Sequence, residues 1–173
     1  VVEHFTHVLI EAGRPILGGL YRAGCAQEAA VFAEAGLAVA MVAHGSDVRL
    51  PSRHVQSYPW SPFKDPEWEL VPRLEEQALR LGRIINEHQG PTFVSTPDLL
   101  DDVPGAVWLP TVVDVDRWRC STVPLERERP LVVHAPSNTR FKGTELIEPI
   151  VERLASRGLI DYRRISGVPN AQM

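Results

Sequence analysis

The sequence predicts an α/β fold with a largely parallel sheet. Three observations carry that expectation. Short apolar runs alternate with helix-like stretches along the whole chain. One run, residues 37–43 (LAVAMVA), is apolar throughout, the pattern of a parallel strand buried on both faces. Gly and Pro punctuate the boundaries between the segments.

The elements follow in order. Residues 7–11 (HVLIE) read as a short buried strand, followed by Gly13, Gly18 and Gly19. Residues 25–35 are rich in Ala, Gln and Glu and read as a helix stopped by Gly36. The 37–43 strand ends at His44-Gly45. Residues 51–66 hold four prolines with Tyr58, Trp60 and Phe63, and read as a loop. A long helix is expected over 67–88, with Leu70, Leu74, Ala78, Leu81 and Ile85 as its apolar stripe. Gly90-Pro91 ends it, and 92–94 is a strand. Thr96-Pro97-Asp98 reads as a helix start: hydroxyl at the cap, Pro at the first position, acid in the first turn. Residues 106–109 form the next strand.

The polar, aperiodic stretch 119–129 reads as a linker. Beyond it come a strand at 131–135, a loop at 136–143, a helix reaching Arg157, Gly158 as its stop, and a strand at 162–165. Pro149 conflicts with a helix starting at Thr144, because it cannot bond back to Glu145. Either the first turn is distorted, or the regular helix starts with Glu148 as cap and Pro149 at its first position. The expected organisation is therefore a partial Rossmann-like domain over 1–118, a linker over 119–129, and a second partial Rossmann-like domain over 130–173. The 44 residues after the linker suffice for one strand–helix–strand unit, which cannot bury both faces of a sheet.

Composition sets the class. The chain has 173 residues, 44% hydrophobic and 23% charged, which excludes a disordered chain. No apolar run is long enough to cross a bilayer. Cys25 and Cys120 match no metal or redox spacing and read as unpaired thiols in a reducing cytoplasm. A net charge of −4 argues against nucleic acid as a partner. The charge is uneven, however. Residues 1–118 hold nine basic and 16 acidic groups, whereas 119–173 hold nine basic and six acidic, so the second part is the one suited to an anionic ligand.

Three loops follow strands, where open α/β sheets bind ligands. The first is His44-Gly45-Ser46-Asp47. Gly45 allows close backbone approach and His44 can donate or accept at neutral pH; a plain turn capped by Ser46 or Asp47 is the simpler account. The second runs from Ser137 to Thr144 and leads into a helix N-terminus. Free amides and the dipole there favour anions. Asn138, Arg140, Lys142, Gly143 and Thr144 are the candidate phosphate contacts, with a solvated basic turn capped by Thr144 as the alternative. The third, Glu11-Ala12-Gly13-Arg14, could line the same crevice as the first through Glu11, Gly13 and Arg14; a Glu11–Arg14 ion pair is the duller account. The histidines at 4, 7, 54, 88 and 134 show no metal spacing. The aromatic segment from Tyr58 to Trp68 reads as loop packing, with an acceptor or a membrane surface as functional alternatives.

Three stretches together resemble the retaining glycosyltransferases of the GT-B class, family 4-like. His44-Gly45-Ser46-Asp47 is similar to the HGSD turn of their N-terminal domain. The segment from Pro110 to Trp118 resembles their interdomain stretch, usually Asn-Gly-Val-Asp followed by Arg and an aromatic; here Thr111-Val112 replaces Asn-Gly. Val132 to Asn138, running on to Lys142-Gly143-Thr144, resembles the first strand and phosphate loop of the donor domain. The resemblance implies two Rossmann-like domains facing across a cleft. It implies transfer of a sugar from a nucleoside-diphosphate sugar to an acceptor hydroxyl of a saccharide, lipid or small molecule, with no cofactor, no metal and a cytoplasmic location. Peripheral membrane contact stays open. Lys142 would hold the diphosphate and stabilise the leaving group, and His44 would hydrogen-bond the sugar.

The sequence departs from the family pattern at the usual upstream Arg, where Pro136 and Ser137 stand, leaving Arg140 as the nearest basic substitute. It also lacks the first strands of the N-terminal domain and the late paired glutamates, so it reads as a section of a larger two-domain enzyme. The alternatives are a non-catalytic relative that binds a ligand or partner, and a flavodoxin-like protein with one continuous sheet.

Overall fold

In the computed structural model, residues 3–119 and 125–168 are described; Cys120, the rest of the expected linker through Pro124, and Pro169-Asn170 lie outside them. The first strand, β1 (His7–Glu11), leads through a glycine-rich loop to α1 (Cys25–Glu34) and then β2 (Ala38–Ala43). Next come α2 (Pro51–Ser57), α3 (Val71–Glu87), β3 (Thr92–Val94) and β4 (Val107–Trp108). These four strands form one parallel sheet in the order β1-β2-β3-β4, with Glu11 opposite Val42 and Ala43 opposite Val94. The carboxyl ends of β1 and β2 therefore lie side by side.

The core follows from that order. Right-handed crossovers that always step the same way place their helices on one face of the sheet. Accordingly Val8, Ile10, Val39, Met41, Ala43 and Val94 pack with Cys25, Ala29 and Phe32 of α1 and with Leu81 and Ile85 of α3. On the other face Leu9 stays 54% exposed. Ala78, Leu81 and Ile85 of the expected α3 stripe are buried, whereas Leu70 precedes the helix and is exposed.

Two local readings need correction. Residues 51–66 are not a continuous loop: they hold α2, with Pro51 at its first position, and a 3-10 turn at Pro62–Lys64. Two of the four prolines that suggested a loop, Pro51 and Pro62, start these helices instead of breaking them. Phe63 and Trp68 are buried and stack at 5.6 Å between ring centres. The Thr96 start likewise yields only a 3-10 turn, Pro97–Leu100, in which Thr96 makes no side-chain cap.

The chain divides into two compact units, Val1–Val112 and Val113–Met173, which puts 113–118 with the second. In that unit β5 (Leu131–His134) and β6 (Asp161–Arg164) form a separate two-stranded parallel sheet, joined by α4 (Thr144–Ser156). The single-sheet alternative requires β5 and β6 to pair with earlier strands; among the described residues they pair only with each other. The helix does not begin with Glu148 as cap: it runs from Thr144 with Pro149 inside it. The Tyr162 hydroxyl and the Arg164 guanidinium both donate to Glu148, tying β6 to the helix. No helix among the described residues is long and apolar enough to cross a membrane.

Candidate functional site

A polar cleft of about 200 Å³ opens beyond the carboxyl ends of β1 and β2. Glu11, Ala12 and Arg14 line it from β1 and its loop, and His44, Gly45, Ser46 and Asp47 from the turn after β2. Gln77 of α3 completes it. The turn is built by Asp47, which is buried. Its carboxylate accepts from the His44 amide at 3.1 and 3.0 Å and from the Gly45 amide at 2.6 Å. The Val48 and Arg49 amides then donate to the Gly45 carbonyl. Asp47 is thus spent on holding the backbone, which leaves the His44 ring half-exposed over the cleft.

Glu11 does not pair with Arg14 as expected; its carboxylate lies 3.8 Å from His44 Nε2. The Arg14 amide instead donates to the Glu11 carbonyl. Ala12, between them, has φ 50°, a left-handed conformation costing a side-chain-bearing residue about 1 kcal/mol. Gly13 follows at φ 64° and lies outside the lining: a Cβ there would meet Leu81 at 2.7 Å, so glycine lets the loop pack onto α3.

Residues that sequence reasoning passed over hold this end of the unit. Glu28 of α1 is fully buried, and its two oxygens accept from the Ile16 and Leu17 amides at 2.6 and 2.9 Å. Arg49 forms an ion pair with Asp98, tying the His44 turn to the segment after β3. Burial works to raise the Asp98 carboxyl, but the Thr96 hydroxyl and Arg49 outweigh it and hold it below the usual range. A glutamate in the first turn of an alanine-rich helix was the one available signal for Glu28. Nothing local marked Arg49. Cys25 is a free buried thiol, pushed up by burial.

In the second unit, the loop before α4 presents Asn138, Arg140 and Lys142 at the surface. Its amides are largely committed. Phe141 N donates to Asn138 Oδ1 at 3.0 Å, Lys142 N to the Asn138 carbonyl, Gly143 N to Arg140, and Thr144 N to Thr139. The cradle of free amides expected here is therefore closed over residues 141–144. Gly143 occupies the cap position at φ 63°, a conformation that favours glycine. Thr144 is buried and does not cap; its hydroxyl meets His134 Nε2 at 2.9 Å. Lys142 has no ion-pair partner among the described residues. Any hold on an anion therefore comes from side-chain charge.

The chain matches no protein-family model, and no curated protein or solved structure is significantly similar to it.

Proposed function

We propose that the chain carries part of a sugar-transfer enzyme of the retaining GT-B kind. It would move a glycosyl group from a nucleoside-diphosphate sugar to an acceptor hydroxyl. One observation supports this above the others: Glu11, Arg14, His44, Gly45, Ser46 and Asp47, singled out from two separate stretches, line one cleft at the carboxyl ends of adjacent parallel strands. The cleft offers both donors and acceptors, as sugar hydroxyls require, and His44 stands with its ring nitrogen facing Glu11.

On this reading the first unit contacts the sugar and the acceptor. Lys142, with Arg140 beside it in the loop, meets the diphosphate. Such a reaction depends on stabilising the departing diphosphate, and a positioned cation supplies that electrostatically. Lys142 acts as a point charge. The commitment of the loop amides favours the second reading, a ligand- or partner-binding relative without transfer activity.

The test uses the full-length protein with a panel of nucleoside-diphosphate sugars. Lys142→Ala is expected to weaken donor binding by calorimetry about tenfold or more. His44→Ala is expected to lower turnover about 100-fold while leaving folding intact. Donor binding without transfer would favour the binding-module reading. Unchanged donor affinity in Lys142→Ala would remove the role given to that residue.

A further inference from the structure

The cleft beyond β1 and β2 carries two opposite charges that the fold leaves unused. Glu11 and Arg14 both line it, yet they form no ion pair. Glu11 faces the His44 ring, and the Arg14 guanidinium has no hydrogen-bond or ion-pair partner among the described residues. The other acid of the cleft is not available to a ligand, because the Asp47 carboxylate already accepts from the His44 and Gly45 amides. The charges left over are one carboxylate and one guanidinium, carried by the same loop. Ser46 and Gln77 add uncharged donors and acceptors.

The intervening turn keeps the two charges apart. Ala12 and Gly13 follow each other in the left-handed region, at φ 50° and 64°. The turn is tied on three sides. The Ala12 amide donates to the Val42 carbonyl at 2.8 Å, and the Arg14 amide donates to the Glu11 carbonyl at 2.9 Å. Gly13 lies so close to α3 that a Cβ would meet Leu81 at 2.7 Å. A residue with a side chain keeps a left-handed conformation where its surroundings over-determine it, and such residues concentrate at ligand clamps. Opposite charges held apart by a fixed turn give up no bond to each other when a ligand engages both, so both are preorganised for that ligand.

We infer that the cleft binds a small α-amino acid as its zwitterion. The carboxylate pairs with Arg14, whose planar fork matches it, and the ammonium group donates to Glu11. Ser46 and Gln77 meet a short polar side chain. The volume of about 200 Å³ lies below the roughly 300–1,000 Å³ of pockets that take drug-sized ligands, which limits the occupant to a small molecule. A purely anionic ligand would meet the Glu11 carboxylate as well as Arg14, and a purely cationic one would meet Arg14 as well as Glu11. Only a ligand with both charges finds each of them matched. In the sugar-transfer reading the amino acid takes the acceptor's place, but the binding itself is read from the walls of the cleft alone.

The experiment is calorimetry on the full-length protein with L-serine, L-threonine and L-asparagine. No nucleotide sugar is present, so the outcome is separate from that of the donor test on Lys142. At least one of the three is expected to bind at millimolar concentration or below. Its amide, which lacks the carboxylate, and its N-acetyl derivative, which lacks the ammonium group, should each bind about tenfold or more weakly. Arg14→Gln should weaken the free amino acid by a similar factor and erase its advantage over the amide. Glu11→Gln should erase its advantage over the N-acetyl derivative. Both side chains are exposed, so circular dichroism should show the fold of each variant unchanged. No binding of any of the three amino acids at millimolar concentration overturns the inference. So does an amide or N-acetyl derivative that binds as well as the free amino acid, or parent-like affinity in either variant.

Discussion

The two units present a polar loop at the same topological point, just past the carboxyl end of a parallel strand, but build it from different materials. After β2, a buried carboxylate gathers two backbone amides, and Arg49 ties the turn to the neighbouring segment. After β5, the loop satisfies itself with short-range backbone bonds. The packing behind the loops differs as well. The first unit has a continuous apolar core. In the second, Leu146, Ile150 and Leu159 are exposed, and Thr144 is the buried residue among those described. A two-stranded sheet with one helix has too little surface to bury. The lesson is that strand-end position confers access, whereas rigidity comes from what packs behind the loop.

The largest expected effect tests that contrast directly. Leu99 is fully buried in the first core and Leu146 is 71% exposed on α4. Leu99→Ala should cost about 3 kcal/mol, since it opens a cavity, whereas Leu146→Ala should stay within about 0.5 kcal/mol. Urea denaturation monitored by circular dichroism measures both. Comparable losses would mean that the second unit has a core of equal weight, and the contrast would break.

The next effect compares the two loops. Asp47→Ala leaves the His44 and Gly45 amides unpaired against buried structure and should cost about 2 kcal/mol. Asp47→Asn keeps one acceptor and should cost roughly half as much. Asn138→Ala removes one exposed acceptor from the Phe141 amide and should cost about 0.5 kcal/mol. If Asp47→Ala proves as mild as Asn138→Ala, the carboxylate is not what holds the His44 turn.

The strands were readable because burial on both faces of β2 leaves an unbroken apolar run, and α3 because its stripe repeats at helical spacing. The gathering of Glu11, Arg14 and His44 was readable as well, since strand ends converge in any parallel sheet. What stayed hidden was long-range and polar. The partner of Glu11 is His44, not its sequence neighbour Arg14, because register decides which side chains meet. The carboxylate of Glu28 reaches amides 11 and 12 residues back, a distance no local pattern encodes. In α2, proline at the first helical position looked the same as proline in a loop. The donor loop resisted for the opposite reason: its composition suits an anion, but composition says nothing about which amides the loop has already used.

The smallest expected effect sharpens the comparison through pH. His54 of α2 hydrogen-bonds Ser61 Oγ through Nδ1 at 2.8 Å and packs on Tyr58 and Phe63. Burial, and then the Arg49 guanidinium, hold it below the ordinary histidine value, while Asp102 and Asp98 pull the other way. The unfolded chain therefore binds the proton first as pH falls. The stability that neutral His54 contributes is complete above about pH 6.5 and is lost as pH drops toward the lower folded value. His54→Gln keeps a hydrogen-bonding side chain without that titration, so the fall in stability as pH drops below about 6.5 should flatten in the variant. Because the histidine sits in the first unit, the flattening should appear as altered hydrogen-exchange protection over residues 51–64 and not over α4. A slope as steep in His54→Gln as in the parent chain would place the titration on another group, and a change confined to α4 would place it in the other unit.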